Sequence, residues 1–452
     1  MRVRAPKLAL HTLGTGAFLA LALLYANLPQ VAVPLMAFLA IVACYMWPAA
    51  LLFFLPLGTM MRPASGANLP LADGWFIILG ALVGISAAWL MQSGRISKSD
   101  WPIFLLLLCV SVSSTAAIFG GYAPLGRQIA TVGLVGLFLL SAQYVRKRTP
   151  SVADDGLSAS YLLLIATSLV IFTIITAYFN HGFFMAQSSV LSLRFAEVSP
   201  RSVVGITGAL LIAAILAPMR RSNSASIRAA NFLMIALVVA ALAAAGVRII
   251  FLAILGGLFA AAAFYHLPRA LATSRVSTRA LVLLLIFLSV AGLFLFVEHL
   301  LPSSRLAREI VLQENVRLAW WAELFASMRP YEKVFGAGIG SDTQVLDGSY
   351  VHSFFVGTLY VFGYPSFAAL AALILRDLWF YAFRHPSPGA IAIIVYCLIA
   401  YSSAGNADWP DFYVSYLLVY YLASRSGKGI ADEGFFSRLP VVRRGARWKE
   451  LR

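Results

Sequence analysis

The sequence predicts an all-α protein that spans a membrane many times, and three observations lead to that fold class. Of the 452 residues, 61% are hydrophobic and only 12% are charged. Apolar runs of about 20 residues, the length that crosses a bilayer core, recur along the chain. These runs also lack the polar and apolar alternation of a strand. Helices satisfy their own backbone groups in lipid, so they are the expected spanning elements.

The predicted helices number about 12 to 14. The second and third are separated only by Trp47 and Pro48, which leaves open whether they form one broken pair. We place the spans at 8–27, 30–46, 48–61, 74–92, 101–120, 128–145, 160–179, 201–218, 229–246, 248–267, 280–298, 351–375, 388–404 and 411–424.

The positions of Lys and Arg predict which side of the membrane each loop faces, because cytoplasmic loops retain these residues. Most of the 34 Lys and Arg fall in loops on one side of the predicted topology, and both termini are then cytoplasmic. The net charge of +16 reflects this topology. Nucleic-acid binding, which would need a basic stripe on one folded surface, is not expected. The basic loops are 1–7, 93–100, 146–159, 219–228, 268–279, 376–387 and 425–452.

Loop lengths divide the chain into four regions. Most outward loops are short, but two are long, and long loops without their own fold are usually functional. The regions are 1–228, with N-terminal helices and an outward loop near 180–200; 229–385, with an outward loop at 299–350 and the candidate catalytic residues; 386–424, with the C-terminal helices; and 425–452, a basic cytoplasmic tail.

The 299–350 loop carries an amphipathic pattern. Its apolar residues recur at spacings of three, four and seven, which predicts a helix lying near the outer membrane face. Trp320 and Trp321 suit the membrane interface, where amphipathic rings are favoured. Arg317 lies beside them and is a candidate ligand for an anion. Its alternative explanation is an ordinary ion pair with Glu314 on a solvated face.

A glycine-rich turn and a histidine end the same loop. Gly336, Gly338 and Gly340 allow the backbone to approach another group closely. His352 then begins a span that reads HSFFVGTLYVFGYPS. At an outer surface its ring can accept a proton from a sugar hydroxyl. The alternative is a structural hydrogen-bonding role, which is common for a histidine at a helix start.

Two of these stretches resemble motifs of the bacterial O-antigen ligase family. His352 and Ser353, nine further residues and Gly363 resemble the family's histidine motif, with Ser366 in place of its last glycine. The upstream segment VRLAWWAELFASMRPYEKVFGAGIG is similar to the family's Arg, Trp and Gly-x-Gly-x-Gly approach to that histidine.

A third stretch, AAAGVRIIFLAILGG at 243–257, resembles the family's Ser-Arg-Gly segment, with Val247 for Ser and Ile249 for Gly. The resemblance thus covers roughly residues 230 to 375, with the order of the motifs kept. Arg248 lies in this segment at an outer turn. An unpaired charge is expensive there, which indicates a ligand, and snorkelling to the interface is the alternative.

The resemblance implies a glycosyl-transferring enzyme with GT-C-like helices in the bacterial inner membrane. Such enzymes move glycan from an undecaprenyl diphosphate carrier, at the periplasmic face, onto a sugar hydroxyl. It implies His352 as the catalytic residue. Arginines suit the diphosphate because they bind phosphate oxygens bidentately and remain charged. The candidates are Arg248, Arg317, Arg194, Arg201 and Arg329, with Arg305, Arg308 and Lys333 ranked below them; Gly336, Gly338, Gly340, Gly363, Trp320 and Trp321 are structural residues near the site.

Ligase and polymerase activities are nearly equal alternatives at this point. Ten residues separate Arg194 from Gly205, and ten separate Arg329 from Gly340, a spacing that resembles two periplasmic loops of O-antigen polymerases. The histidine motif favours a ligase. The acceptor is then the lipid A core of lipopolysaccharide for a ligase, or a growing O-antigen or exopolysaccharide chain for a polymerase, which could also use a chain-length regulator.

Absent motifs narrow the chemistry further. There is no Walker A sequence, so ATP-driven transport is not expected. The first outward turn, NLPQ, lacks the acidic residues of metal-dependent lipid-linked glycosyltransferases, and we expect metal-independent transfer without a cofactor. The competing hypothesis is a transporter or flippase of lipid-linked oligosaccharide, which would place cationic and polar residues along a central path.

Overall fold

A computed structural model describes most of the predicted spans and part of the long outward loop. The predicted span at 280–298, nearly all of the one at 8–27, and Arg194, Gly340 and His352 lie outside the described residues, as do the side chains of Arg201 and Arg248. The described residues are 24–25, 28–46, 50–60, 75–91, 101–120, 131–138, 140–142, 144–145, 159–181, 200–216, 225–244, 248–266, 317–338, 341, 345–346, 351, 353–402 and 411–432.

Twelve helices with defined bounds lie within this described part. They are α1 (Pro29–Met46), α2 (Leu51–Met60), α3 (Trp75–Met91), α4 (Trp101–Gly120), α5 (Ala159–His181), α6 (Pro200–Leu216), α7 (Ala225–Ala244), α8 (Arg248–Ala261), α9 (Pro330–Phe335), α10 (Phe354–Trp379), α11 (Pro388–Ala400) and α12 (Asp411–Asp432). Residues 131–138 and 140–142 are also helical, and so are residues 317–327, which we call the loop helix.

All regular structure in the described residues is helical, which confirms the all-α fold class. Each predicted span that falls on these residues coincides with helix, although the ends shift by a few residues. Among the described residues, Phe354–Arg384 is the helical stretch long and apolar enough to cross a membrane, whereas the apolar parts of the other helices that were identified there have 10–17 residues.

Helix α6 is the centre of the bundle. Residues 205–214, GITGALLIAA, carry no charge and are all buried. The helix packs against α5, α8, α11 and α12, with further contacts to α2 and α7. A helix that is apolar on every side needs apolar neighbours on every side, and this sequence therefore accounts for the central position.

Helices α1 and α3 pack closely through the GALVG pattern of α3. A Cβ added at Gly80 would overlap the carbonyl oxygen of Ala37, and one added at Gly84 would overlap that of Ile41. Because glycine has no Cβ, the two backbones can approach closely, as small residues allow at helix interfaces. The pattern is a packing motif.

Helix α10 departs from the single uninterrupted span predicted at 351–375. Gly363 has φ 80° and ψ 173°, outside the helical region, so two helical segments meet there at a kink. Pro365, which has no backbone N–H, lies just beyond. The second segment reaches Trp379 and continues as a π-helical turn to Arg384, so the helix extends further than the sequence predicts.

Candidate functional site

Three carbonyl groups just before the break in α10 accept hydrogen bonds from outside the regular helical pattern, most of them from other segments. The N–H of Ala337 donates to the Tyr360 carbonyl at 2.9 Å, and that of Gly338 to the Val361 carbonyl at 3.1 Å. The Phe362 carbonyl accepts from two serine hydroxyls, Ser113 of α4 at 2.7 Å and Ser366 at 2.8 Å. The glycine run of the loop is thus bonded directly into the break, which satisfies buried polar groups that would otherwise be costly.

Gly336 and Gly363 interlock where the two segments cross. Their φ angles are 82° and 80°, in a region that L side chains rarely adopt. A Cβ at Gly336 would overlap the Val361 carbonyl oxygen, and a Cβ at Gly363 would overlap the Val334 carbonyl oxygen. Neighbouring backbone cannot give way as a side chain can. Glycine is required at both positions for conformation and for space.

Short helix α9 directly precedes the glycine run and positions it at the break. The N–H of Arg329, which precedes the helix, donates to Oε2 of Glu332 at 2.6 Å. This carboxylate lies in the first helical turn, where negative charge is favourable, and it is buried. Arg329 Nη1 donates to the Tyr331 hydroxyl at 3.1 Å, and the Arg329 side chain is exposed.

The loop helix is attached to the chain beside His352. Nε1 of Trp321 donates to the Val351 carbonyl at 3.1 Å. Leu324 is buried, and so is Met328 directly after the helix, which identifies the face of the helix that packs inward. Arg317 is partly buried at the first described turn of the same helix, and Trp320 is also partly buried.

Helix α10 begins immediately after His352 with a well-defined cap. The Ser353 hydroxyl accepts from the Val356 N–H at 3.3 Å, which is the usual N-cap bond. The Phe354 N–H donates to the carbonyl of Tyr401, at the end of α11, at 3.0 Å. Phe354 also stacks on Phe412 of α12 with ring centroids 4.1 Å apart. Three helix ends therefore meet at this point.

Tyr401 joins these helix ends, and we call Tyr401, Phe354, Asp411, Ser415 and Gly205 the Tyr401 junction. The Tyr401 hydroxyl donates to the Asp411 carbonyl at 3.0 Å and lies 2.7 Å from the Ser415 hydroxyl. Its ring lies against Gly205 in the second turn of α6. Tyr401 was not predicted from the sequence, because a tyrosine at the end of an apolar run is typical of any membrane interface.

The first turns of α6 and α8 lie at the same end of the bundle as the Tyr401 junction. Gly208 of α6 contacts both Ile250 of α8 and Tyr396 of α11, while Gly257 contacts Ala392. Helices α8 and α11 therefore run antiparallel, and α8 begins beside the end of α11. The backbones of Arg201 and Arg248, in the first turns of α6 and α8, are accordingly at the junction end.

The structure thus gathers most of the predicted site at one end of the bundle. The loop helix with Arg317, Trp320 and Trp321, the glycine run and the start of α10 are joined by direct hydrogen bonds. Arg201 and Arg248 begin helices at that end. Arg329 lies in the same segment as the glycine run, whereas His352, Arg194 and Gly340 fall outside the described residues.

The opposite end of α10 carries a separate polar cluster. Nε and Nη2 of Arg376 donate to Oδ1 of Asp377 at 2.9 and 2.7 Å. The hydroxyls of Tyr416 and Tyr420, on α12, donate to Oδ2 at 3.0 and 2.7 Å. Asp377 is buried, and both of its oxygens are bonded, so we call these four residues the Asp377 cluster.

Within the described residues, no three His, Cys, Asp or Glu side chains are grouped so as to hold a metal ion. Neither a protein-family model nor a curated protein matches this chain.

Proposed function

We propose that this protein is a membrane glycosyl-transferring enzyme of the O-antigen ligase and polymerase type. The observation that carries the proposal is the convergence of three resembling stretches on one end of the bundle. Trp321 is bonded to Val351, the glycine run is bonded into α10, and α8 begins beside the end of α11. The stretch at 243–257 is far in sequence from the other two, which are separated from each other by only about a dozen residues, and a common site is a reason for it to meet them.

Exposed apolar side chains support placement in a membrane. The proposal includes about 12 to 14 spans, a GT-C-like architecture and cytoplasmic termini. In water, large contiguous apolar surfaces are rare on a monomer. Here they cover the outward faces of several helices, including Leu35, Phe38 and Val42 of α1, Phe232 and Leu233 of α7, Leu252, Leu255 and Phe259 of α8, and Leu375 and Trp379 of α10.

The proposed reaction is displacement at the anomeric carbon of a sugar on undecaprenyl diphosphate, at the periplasmic face. The acceptor hydroxyl oxygen forms the new bond, and its proton goes to His352. The bond from the anomeric carbon to the diphosphate breaks, and its electron pair stays on the diphosphate oxygen. Arg317 and Arg248 stabilise the negative charge that develops there.

The positions of buried charges favour this reaction over a flippase. Among the described residues the buried charged side chains are Glu332, Asp377 and Asp411. Asp377 and Asp411 lie in the last turn of α10 and the first turn of α12, and Glu332 is held in the capping box of α9. A path for a charged lipid headgroup would need polar residues at mid-membrane depth along a central cavity.

Glycan profiling of a deletion strain tests the proposal. The strain is complemented with the wild type, His352→Ala, Arg317→Ala or the control Arg384→Ala, and the membrane level of each protein is measured. Arg384 is exposed at the opposite end of α10, so this control should support normal glycan synthesis. His352→Ala and Arg317→Ala should abolish or strongly reduce it.

The accumulated intermediate then separates the two activities. Carrier-linked single repeats identify a polymerase, whereas long carrier-linked chains beside bare lipid A core identify a ligase. Wild-type glycan from both variants at normal protein levels would contradict the site assignment. An intermediate confined to the inner face of the membrane would favour a flippase instead.

A further inference from the structure

Gly205 of α6 is held by two tyrosines of α11. The Tyr396 hydroxyl donates to the Gly205 carbonyl at 2.5 Å. A Cβ placed on Gly205 would lie 3.0 Å from the hydroxyl oxygen of Tyr401 and 3.4 Å from the ring carbon that bears it. The Tyr401 ring therefore lies directly against the α6 backbone. Arg201 precedes Gly205 by four residues, which is about one helical turn.

Tyr401 is fixed at both ends and cannot easily move away from Gly205. Its side chain is buried, and its hydroxyl donates to the Asp411 carbonyl at 3.0 Å and lies 2.7 Å from the Ser415 hydroxyl. Its backbone N–H donates to the Cys397 carbonyl at 3.1 Å. A buried tyrosine whose hydroxyl is bonded in this way keeps one ring position, because any other would leave a buried polar group unpaired.

The backbone of Tyr401 also holds the chain that follows His352. Its carbonyl accepts from the Phe354 N–H at 3.0 Å. On the other side of His352, the Val351 carbonyl accepts from Trp321 at 3.1 Å. The described residues on both sides of the candidate base are thus held, one by the loop helix and the other by Tyr401.

We propose that Tyr401 is a positioning residue that sets the distance between His352 and the first turn of α6, where the candidate diphosphate ligand Arg201 lies. Its carbonyl holds the start of α10, and its ring limits how closely α6 approaches. Because Tyr401 is buried, it acts through these neighbours and does not contact the substrate. Transfer requires the base and the leaving-group ligands in one geometry, so a small displacement lowers the rate. This assignment rests on the proposed function and adds the residue that couples two parts of its site.

A cycle of variants at Gly205 and Tyr401 tests the proposal in the purified full-length protein in nanodiscs. Gly205→Ala places a methyl group against the Tyr401 hydroxyl, and Tyr401→Phe removes that hydroxyl while keeping the ring and the carbonyl. Gly136→Ala is the matched control, because a Cβ there meets only side-chain atoms of Leu107, at 3.6 and 3.8 Å. One readout is kcat and donor KM with an undecaprenyl diphosphate-linked saccharide. The other is hydrogen exchange of the peptide that contains Phe354.

Gly205→Ala should lower kcat by about fivefold or more, because the methyl group displaces α6 from Tyr401. Donor KM should change less than about twofold, since a long arginine side chain can still reach the diphosphate. Exchange of the Phe354 peptide should become faster. In the Tyr401→Phe background the same substitution should change kcat and exchange by less than about twofold, because the methyl group then has room. Gly136→Ala should match the wild type in both readouts.

Two results would overturn the assignment. One is an equal effect of Gly205→Ala with and without the Tyr401 hydroxyl, and the other is no effect of Gly205→Ala on kcat or exchange. If the wild type transfers no saccharide, the proposed function fails, while the exchange comparison still decides whether Tyr401 couples α6 to the start of α10.

Discussion

The two ends of α10 solve the same physical problem in different ways. At the inner end, the Asp377 cluster matches a buried carboxylate with a guanidinium and two tyrosine hydroxyls. Towards the outer end, carbonyl groups beside the break at Gly363 accept hydrogen bonds from backbone N–H groups and from the hydroxyls of Ser113 and Ser366. The cluster thus balances a buried ionised side chain, whereas the break satisfies neutral backbone carbonyls.

The two regions of α10 are therefore expected to serve different purposes, stability of the fold at the inner end and ligand binding at the outer end. Both oxygens of Asp377 are bonded within the protein, so the inner end has little capacity for a ligand. The outer end satisfies its backbone internally but presents Arg329 and Lys333 on exposed surface. We therefore expect inner-end substitutions to change the free energy of unfolding, and outer-end cation substitutions to change donor binding.

The largest effect should come from Asp377→Leu. Removing the carboxylate leaves the Arg376 guanidinium and two buried hydroxyls without their acceptor, which should cost about 3–5 kcal/mol of unfolding free energy. Thermal unfolding of the protein in detergent measures this loss. The double variant Arg376→Met with Asp377→Leu should recover much of it, because an apolar pair can replace a buried ion pair. If Asp377→Leu alone were as stable as the wild type, the Asp377 cluster would not stabilise the fold as described.

Substitutions at the interlocked glycines should rank next. Gly336→Ala and Gly363→Ala each place a Cβ onto backbone atoms at a positive φ, at an expected cost of about 2–4 kcal/mol. Gly133→Ala is the matched control, since a Cβ there meets no atom within 4 Å. The unfolding temperature should fall for the first two variants and stay constant or rise for the control. Equal shifts in all three would argue against the interlock.

Trp321→Phe should have a smaller effect on stability and a larger one on turnover. It removes the N–H that bonds the loop helix to Val351, worth about 1 kcal/mol, while keeping most of the ring. Because the segment beside His352 loses this restraint, kcat should fall more than the donor KM changes. Trp379→Phe, at an exposed inner-end position, should leave both constants unchanged. The same kcat in both variants would show that the restraint does not matter.

Ser113→Ala should have the smallest effect. The Phe362 carbonyl keeps its bond from Ser366, so the loss should be about 0.5–1 kcal/mol. The double variant with Ser366→Ala removes both donors and should lose more than the sum of the single variants, because the carbonyl then lacks a partner. Strict additivity would show that the two hydroxyls act independently.

The sequence predicted the helices because apolar runs of bilayer length are a local signal. It did not predict the pairing of Ala337 and Gly338 with Tyr360 and Val361, since a backbone hydrogen bond between distant segments leaves no side-chain pattern. It also predicted one uninterrupted span at 351–375, because the conformation around Pro365 depends on the segment that packs against it.

The location of the charged residues at the inner end of α10 was predicted only in part. The basic loop predicted at 376–387 begins with Arg376 and Asp377, and those residues lie instead in the last turns of α10. Their burial follows from the facing tyrosines of α12. Adjacent opposite charges in a sequence look the same whether they face solvent or a buried hydroxyl pair, so only the packing of the two helices reveals the cluster.

The peptide bonds between Gly338 and Val351 are not what keeps α9 against α10. The segments on either side are held by hydrogen bonds from Ala337 and Gly338 to α10 and by the Trp321 bond to Val351. Cleavage between them would leave two polypeptides with complementary surfaces. Separately expressed fragments that divide the chain there should associate. A fluorescent label attached at that point would lie beside the proposed site.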